Sequence, residues 1–333
     1  MTLIDNIAPS SAEASTVPKR AWRDRLLFWG LIALFVFGLA GLVSATGWQA
    51  TWAELQKLSL WQMGVLLLLS LANYLARGLR WHYLARRLGL EIDVHHSLMH
   101  FIGGFAMTIT PARIGEFVRL RWIKRMTGWN VERTAPLPLA DRAFDMAAMG
   151  AVLGLSVLLW GQGGVTVIPV ALIAIAGALV ITRPKLLTKL VESLYGLLRR
   201  WPRMFASLRQ AARSMSRFSQ IATSGPAFAL SAFGWMAECY AFFLLLQWMG
   251  ADVGLAAATV IFLFSALAGG LTGAPGGLGG AEASMMVLLT MNGVPIHVAL
   301  AATTVIRITT LWFAIALGAL TFPFAEAFSN KSN

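Results

Sequence analysis

The nine residues Ala274–Glu282, Ala-Pro-Gly-Gly-Leu-Gly-Gly-Ala-Glu, lie inside a long apolar stretch with no Lys or Arg nearby. No uninterrupted helix accommodates them. Proline removes a backbone donor and clashes with the preceding turn, each glycine costs about 1 kcal/mol relative to alanine in a helix interior, and Glu282 puts a carboxylate where hydrocarbon is expected. Such a break survives at membrane depth only where it is buried in protein or lines a wet cavity, because amide groups facing lipid are costly. The stretch therefore reads as the tip of a re-entrant hairpin, with Pro275 and Gly276 breaking the helix.

The surrounding chain makes the membrane its solvent. Of 333 residues, 57% are hydrophobic and 13% charged, and the mean hydropathy is +0.68, far from soluble composition. Full-length apolar runs at about 26–46, 60–76, 138–160, 165–182, 226–249 and 297–322 give six expected spans. Two further apolar regions, about 97–127 and 255–293, are interrupted by Pro111 and by Pro275 with its glycines, and each reads as two half-helices joined at a tip. The fold class expected is an all-α polytopic membrane protein of about eight hydrophobic segments. The run at 26–46 follows Lys19, Arg20, Arg23 and Arg25. Val43-Ser44-Ala45 resembles a signal-peptidase site, but the near-spanning length and long polar lead favour an uncleaved anchor. Cys239 is the single cysteine, so no internal disulfide forms.

The net charge of +12 does not point to nucleic acid, because the basic residues cluster beside the spans on one side. With the N-terminus inside, the inner segments carry Arg77, Arg80, Arg86 and Arg87, then Arg119, Arg121, Lys124, Arg125 and Arg133, then Arg183 through Arg217. The outer loops carry only Lys57. Counting either broken region as one full span would move a basic cluster to the wrong side. The organisation expected is a tail at 1–25, a first transmembrane half at 26–182, a connector at 183–225, a second half at 226–322 and a tail at 323–333, both termini cytoplasmic. The connector is basic and amphipathic and lies on the anionic cytoplasmic leaflet, more as an elbow between halves than as a lipid sensor.

The two broken regions repeat. Pro111 and Pro275 are 164 positions apart, Gly115 and Gly279 164, Gly128 and Gly293 165, and Arg142 and Arg307 165. Three full spans separate the hairpins, so one enters from the cytoplasm and the other from outside. This is an inverted-topology repeat, a construction that places a site near the midplane.

Eight ionisable residues fall inside the expected membrane zone: Arg113, Glu116, Asp141, Arg142, Asp145, Glu238, Glu282 and Arg307. Each central charge costs roughly 2.5–3.5 kcal/mol on insertion scales, so they must pair, take up protons or face water. Asp141, Arg142 and Asp145 read as a structural ion pair at helical spacing. Arg113 and Arg307 are the expected phosphate ligands, beside the backbone of Gly277, Gly279 and Gly280, where a half-helix N-terminus suits an anion. Glu116, Glu282 and Glu238 are candidates for orienting the arginines, binding a cationic headgroup or carrying a coupled proton; a protonated, hydrogen-bonded carboxyl is an equal reading for Glu238. No metal is expected: His96 and His100 share a face without supporting ligands. Gly276–Gly280 lacks the Lys-Ser/Thr of a nucleotide loop, and no Ser/His/Asp or Gly-x-Ser-x-Gly arrangement supports a hydrolase. No cofactor and no enzyme activity are expected.

Thr110-Pro111-Ala112-Arg113-Ile114-Gly115-Glu116-Phe117-Val118-Arg119 and Pro275-Gly276-Gly277-Leu278-Gly279-Gly280-Ala281-Glu282, followed by a span bearing Arg307 and Trp312, resemble two signature segments. They are those of the transmembrane flippase domain of lysylphosphatidylglycerol synthases. Asp141-Arg142-Ala143-Phe144-Asp145 is similar to the Glu-Arg-x-x-Asp pattern that follows the first signature, with Asp in place of Glu. The resemblance covers nearly the whole chain beyond the N-terminal tail. It extends to free-standing bacterial relatives and to the membrane portion of some archaeal glycosyltransferases. It implies movement of a polar-headed lipid between leaflets of a bacterial inner membrane. The chain stops within about a dozen residues of its last span, so aminoacylation of phosphatidylglycerol is not expected. An anionic phospholipid, an aminoacyl-phospholipid and a polyprenyl-phosphate-linked lipid are the candidate substrates. The rival readings are a secondary transporter of a small anionic solute and a non-catalytic membrane partner of a separately encoded lipid-modifying or glycosyl-transferring enzyme. A homo-oligomer is compatible with each.

Overall fold

The computed structural model describes residues 52–54, 56–108, 110, 117–160, 218 and 220–330, with isolated positions between 169 and 196. The expected spans at 26–46 and 165–182, most of the connector, and Pro111, Arg113, Gly115 and Glu116 lie outside the described residues. Among the described residues, regular structure is helical throughout. In chain order come α1 (Leu60–Leu88), α2 (Val94–Gly103) running into a 3-10 turn (Gly104–Met107), α3 (Val118–Thr127), α4 (Val131–Thr134) and α5 (Pro136–Trp160). They are followed by α6 (Ile221–Trp248), α7 (Leu255–Leu271), α8 (Gly280–Met291), α9 (Ile296–Arg307), a π turn (Ile308–Trp312) and α10 (Phe313–Asn330).

Four stretches are long and apolar enough to cross a bilayer: Leu60–Leu88, Val131–Trp160, Ile221–Trp248 and Ile296–Ser329. They coincide with four of the six expected spans. Their outward faces carry large apolar side chains such as Leu68, Leu155, Leu158, Phe233 and Leu320, as lipid contact requires. The region 255–293 divides as expected into α7 and α8, of 17 and 12 residues. Neither reaches the roughly 20 residues a spanning helix needs.

Two helices run on past the apolar runs expected as spans. α1 continues past the span expected at 60–76 to Leu88, because the leucine, alanine and arginine that follow favour helix once the charges find partners. Ser59 and Gln62 close its start as a capping box, and Gly89, at φ 96°, closes its end by donating to Ala85 and Arg86 carbonyls. The tail expected at 323–333 is helical through residue 330. Tertiary contacts carry it: Phe322 packs on Trp122 (5.2 Å), and Glu326 accepts from Trp122 Nε1 (2.6 Å) and Arg121 Nη2 (3.1 Å), with Arg125 as a third donor.

Packing separates into two apolar cores. One joins Leu66 of α1 and Met149, Leu153 and Val157 of α5 to the second half of α6 and to α7, α8 and α9. The other joins Tyr74–Leu88 of α1 to Phe101, Phe105, Leu120, Ile123, Leu137, Phe144, Ala227 and Ala314. Each broken segment belongs to one core, α2–α3 to the second and α7–α8 to the first. Buried polar residues fall where the helices pass from one core to the other: Ser70 and Asn73 between Leu66 and Tyr74 on α1, Asp145 between Phe144 and Met149 on α5, Ser231 and Glu238 between Ala227 and Cys239 on α6, and Thr309 and Thr310 between Ile306 and Ala314.

Candidate functional site

The Ala274–Glu282 segment forms a tight tip between α7 and α8. Thr272 Oγ1 donates to Gly269 O (2.7 Å) and accepts from Ala274 N (3.2 Å), turning the chain out of α7. Gly276, Gly277 and Gly279 sit at φ of 61°, 70° and 82°, a region costly for any residue with a Cβ. The arms then close on each other, since a Cβ on Gly269 would stand 2.7 Å from that of Ala281.

Arg307, the last residue of α9, reaches back to this tip. Its Nε donates to Glu282 Oε1 (2.6 Å) and its Nη2 to Gly276 O (2.8 Å). Glu282 stands in the first turn of α8, where a carboxylate also complements the helix dipole. Both side chains are partly exposed, at 13% and 16%. The expected residues Arg307, Glu282, Gly276, Gly277, Gly279 and Gly280 are thus brought together, with Glu282 holding the arginine in place. The π turn follows at once, and Tyr74 of α1 donates its hydroxyl to the Thr310 carbonyl, a group that irregular winding leaves open to an outside donor.

A second charged group lies deeper. Arg80, with no exposed surface, donates from Nε to Asp141 Oδ1 (3.1 Å), from Nη1 to Asp145 Oδ1 (2.6 Å) and to Ser231, and from Nη2 to Asp141. Arg77 donates from Nη2 to Asp145 Oδ2 (2.7 Å) and lies against the rings of Phe101 and Trp235, 5.8 and 5.4 Å from their centroids. Trp235 Nε1 also donates to Asp145 Oδ1 (3.2 Å). Arg77 and Arg80 of α1 thus join the expected group of Asp141, Arg142 and Asp145: the two carboxylates lie one turn apart on a buried face of α5, and Arg142 is half-buried on the same helix.

Glu238 is buried on α6, 5% exposed. Of the first signature, the described part places Arg119 in the second core. Its guanidinium lies over Phe101 (4.3 Å), Trp81 (5.4 Å) and Phe105 (5.5 Å), in space that a Cβ on Gly104 would fill. His100 lies tilted against Trp122 (5.3 Å between centroids) and His96 meets Phe328 edge-on (5.9 Å), so both rings pack against aromatic neighbours. Sequence reasoning missed Ser70, Asn73, Tyr74, Arg77 and Arg80, having taken the two arginines as loop charges. Their signal was present as a polar stripe at helical spacing, continuing through and past the apolar run at 60–76.

Comparison with known proteins matches residues 27–318 to the family described as the lysylphosphatidylglycerol synthase TM region. Two relatives from Methanothermobacter thermautotrophicus, each described as a UPF0104 membrane protein, are 27% and 23% identical over 282 and 280 residues. The matches cover 78% and 76% of this chain and 81% and 82% of the relatives.

Proposed function

This chain belongs to the family of the lysylphosphatidylglycerol synthase transmembrane region, and from that premise we propose that it moves an anionic, polar-headed lipid between membrane leaflets. The observation that carries the reading is the polar level between two apolar cores, with a broken segment in each core and the Arg307–Glu282 pair at one tip. A headgroup crosses through that level while its acyl chains stay in lipid. The tail-independent chemistry is that of a phosphate, recognised by arginine and by backbone amides at the breaks. Arg307 and Arg113 serve as its ligands, and Glu282, Glu116 and Glu238 orient them or carry the coupled proton.

An inverted repeat underlies this path. Advancing α1 by 165 positions gives 225–253, over α6; α2 gives 259–268, inside α7; α3 gives 283–292, over α8; and α5 gives 301–325, over α9–α10. Gly128 and Gly293, at φ 72° and 79°, end equivalent arms. The helix α9–α10 touches both broken segments: Leu311 meets Gly276, and Gly318 meets the 3-10 turn at Phe105 and Ala106. The six-span arrangement, the bacterial inner membrane and cytoplasmic termini belong to the same proposal, as does a separately encoded lipid-modifying enzyme as partner.

A leaflet-transfer assay in proteoliposomes tests it, with fluorescent phosphatidylglycerol compared against a fluorescent diacylglycerol. Accelerated transfer of the first alone is expected. Transfer no faster than in protein-free vesicles for phosphatidylglycerol and a polyprenyl phosphate would rule the reading out.

A further inference from the structure

One stripe of α1 is left unsatisfied in a region where that is expensive. Among the described residues, both amide atoms of Asn73 and Arg77 Nε are buried without a hydrogen-bond partner, and Ser70 Oγ has only the Tyr74 hydroxyl beside it. Ser70, Asn73 and Arg77 stand at i, i+3 and i+7 and so share one face of the helix. Ser70 and Asn73 have no exposed surface, and Arg77 is 6% exposed. The face looks onto α6, running antiparallel. Arg80 meets Ser231, Arg77 meets Trp235, and Asn73 Oδ1 lies 2.6 Å from where Gly234 would carry a Cβ. From residue 70 to residue 80 the seam covers about 15 Å, half the hydrocarbon thickness of a bilayer.

The charges on this seam divide their donors unequally. Arg80 spends donors from all three guanidinium nitrogens on Asp141, Asp145 and Ser231. Arg77 gives Nη2 to Asp145 and retains Nε, its guanidinium fixed between Phe101 of α2 and Trp235 of α6. One turn away, Asn73 offers an amide N–H that no acceptor among the described residues receives. A buried donor left without an acceptor costs about 1–3 kcal/mol, more when charged, so the stripe favours an acceptor that can reach it. An oxyanion with several lone pairs matches two or three convergent donors of this kind.

We propose that Ser70, Asn73 and Arg77 form a phosphate-binding subsite in the α1–α6 seam, occupied by the phosphate of a lipid headgroup when the two helices part. The subsite rests on the lipid-moving reading and gives the path a second arginine, distinct from Arg307. Gly234 keeps the seam shut in the conformation described here, because only glycine lets Asn73 lie flush against α6. Asp145 accepts from Arg77 Nη2, and Arg77 Nε is the donor turned to the incoming phosphate.

The test uses the full chain purified in detergent. Binding of dihexanoylphosphatidylglycerol is measured by calorimetry beside inorganic phosphate and dihexanoylglycerol, the last lacking phosphate. The wild-type protein is expected to bind the phospholipid and not the dihexanoylglycerol. Arg77→Lys, which retains a cation for Asp145, and Asn73→Ala, which removes only the amide, are each expected to weaken that binding about tenfold or more. Their thermal unfolding should stay close to wild type, which separates lost recognition from lost folding. Tighter binding of inorganic phosphate than of the phospholipid would overturn the lipid assignment. Wild-type affinity in both variants, or equal affinity for the glyceride, would overturn the subsite. The same variants in the leaflet assay keep the two proposals apart: transfer that survives both substitutions defeats the subsite alone, and binding without wild-type transfer defeats the lipid-moving reading alone.

Discussion

Arg80 illustrates how a chain of this composition keeps charge inside the membrane. Its guanidinium is enclosed by two aspartates from α5 and one serine from α6, so its removal would strand Asp141 and Asp145 in a low-dielectric interior. Arg80→Ala is expected to cost about 3–5 kcal/mol, read as a large fall in thermal unfolding temperature, and adding Asp141→Asn should recover part of the loss. An Arg80→Ala protein as stable as wild type would mean that the cluster is hydrated. The aspartates could be picked out in the sequence as charges in an apolar run, but their partners could not. Arg77 and Arg80 follow an apolar stretch as positive-inside residues do, and nothing local separates a loop arginine from a buried one sixty positions away from its carboxylate. Glu282 was legible because it interrupts apolar sequence beside a proline and glycines, and Arg307 because it is a charge inside an apolar run. Their mutual hydrogen bond was one of several readings.

At the scale of elements, the breaks were visible and the close approaches were not. Pro275 and its glycines announce the end of α7 by backbone chemistry alone, and the structure gives each positive-φ glycine a reason. Gly318 carries no such signal. It lies in an apolar helix, yet a Cβ there would stand 2.3 Å from the backbone nitrogen of Ala106. Gly154, in α5, has nothing within 4 Å of the same position. Gly318→Ala is therefore expected to destabilise the protein by separating α10 from the 3-10 turn, whereas Gly154→Ala should be neutral or stabilise by up to about 1 kcal/mol. Equal unfolding temperatures for the two variants would contradict the packing of the first broken segment on α10. The π turn at Ile308–Trp312 was illegible for a related reason: an inserted residue leaves no composition mark, and only Tyr74, from the far end of the chain, reveals the carbonyl it frees.

For the whole molecule, apolar run lengths gave the helical class and four described spans, while the orientation of the two halves rests on the repeat. In a Cys239→Ser background, Asn130→Cys at the base of the first broken segment should react with an impermeant maleimide only in permeabilised cells. Asn292→Cys at the base of the second should react in intact cells. Labelling of both from the same side would end the inverted arrangement. The central claim, that a lipid phosphate passes the polar level beside the second tip, is reached most directly through Arg307. Purified wild-type, Arg307→Ala and Arg307→Lys proteins, reconstituted at equal density, are followed for transfer of fluorescent phosphatidylglycerol between leaflets. The account predicts rapid transfer by the wild type, a fall of about tenfold or more in Arg307→Ala, and only partial recovery in Arg307→Lys, which cannot reach Glu282 and Gly276 together with a planar fork. Transfer by Arg307→Ala at the wild-type rate would contradict it.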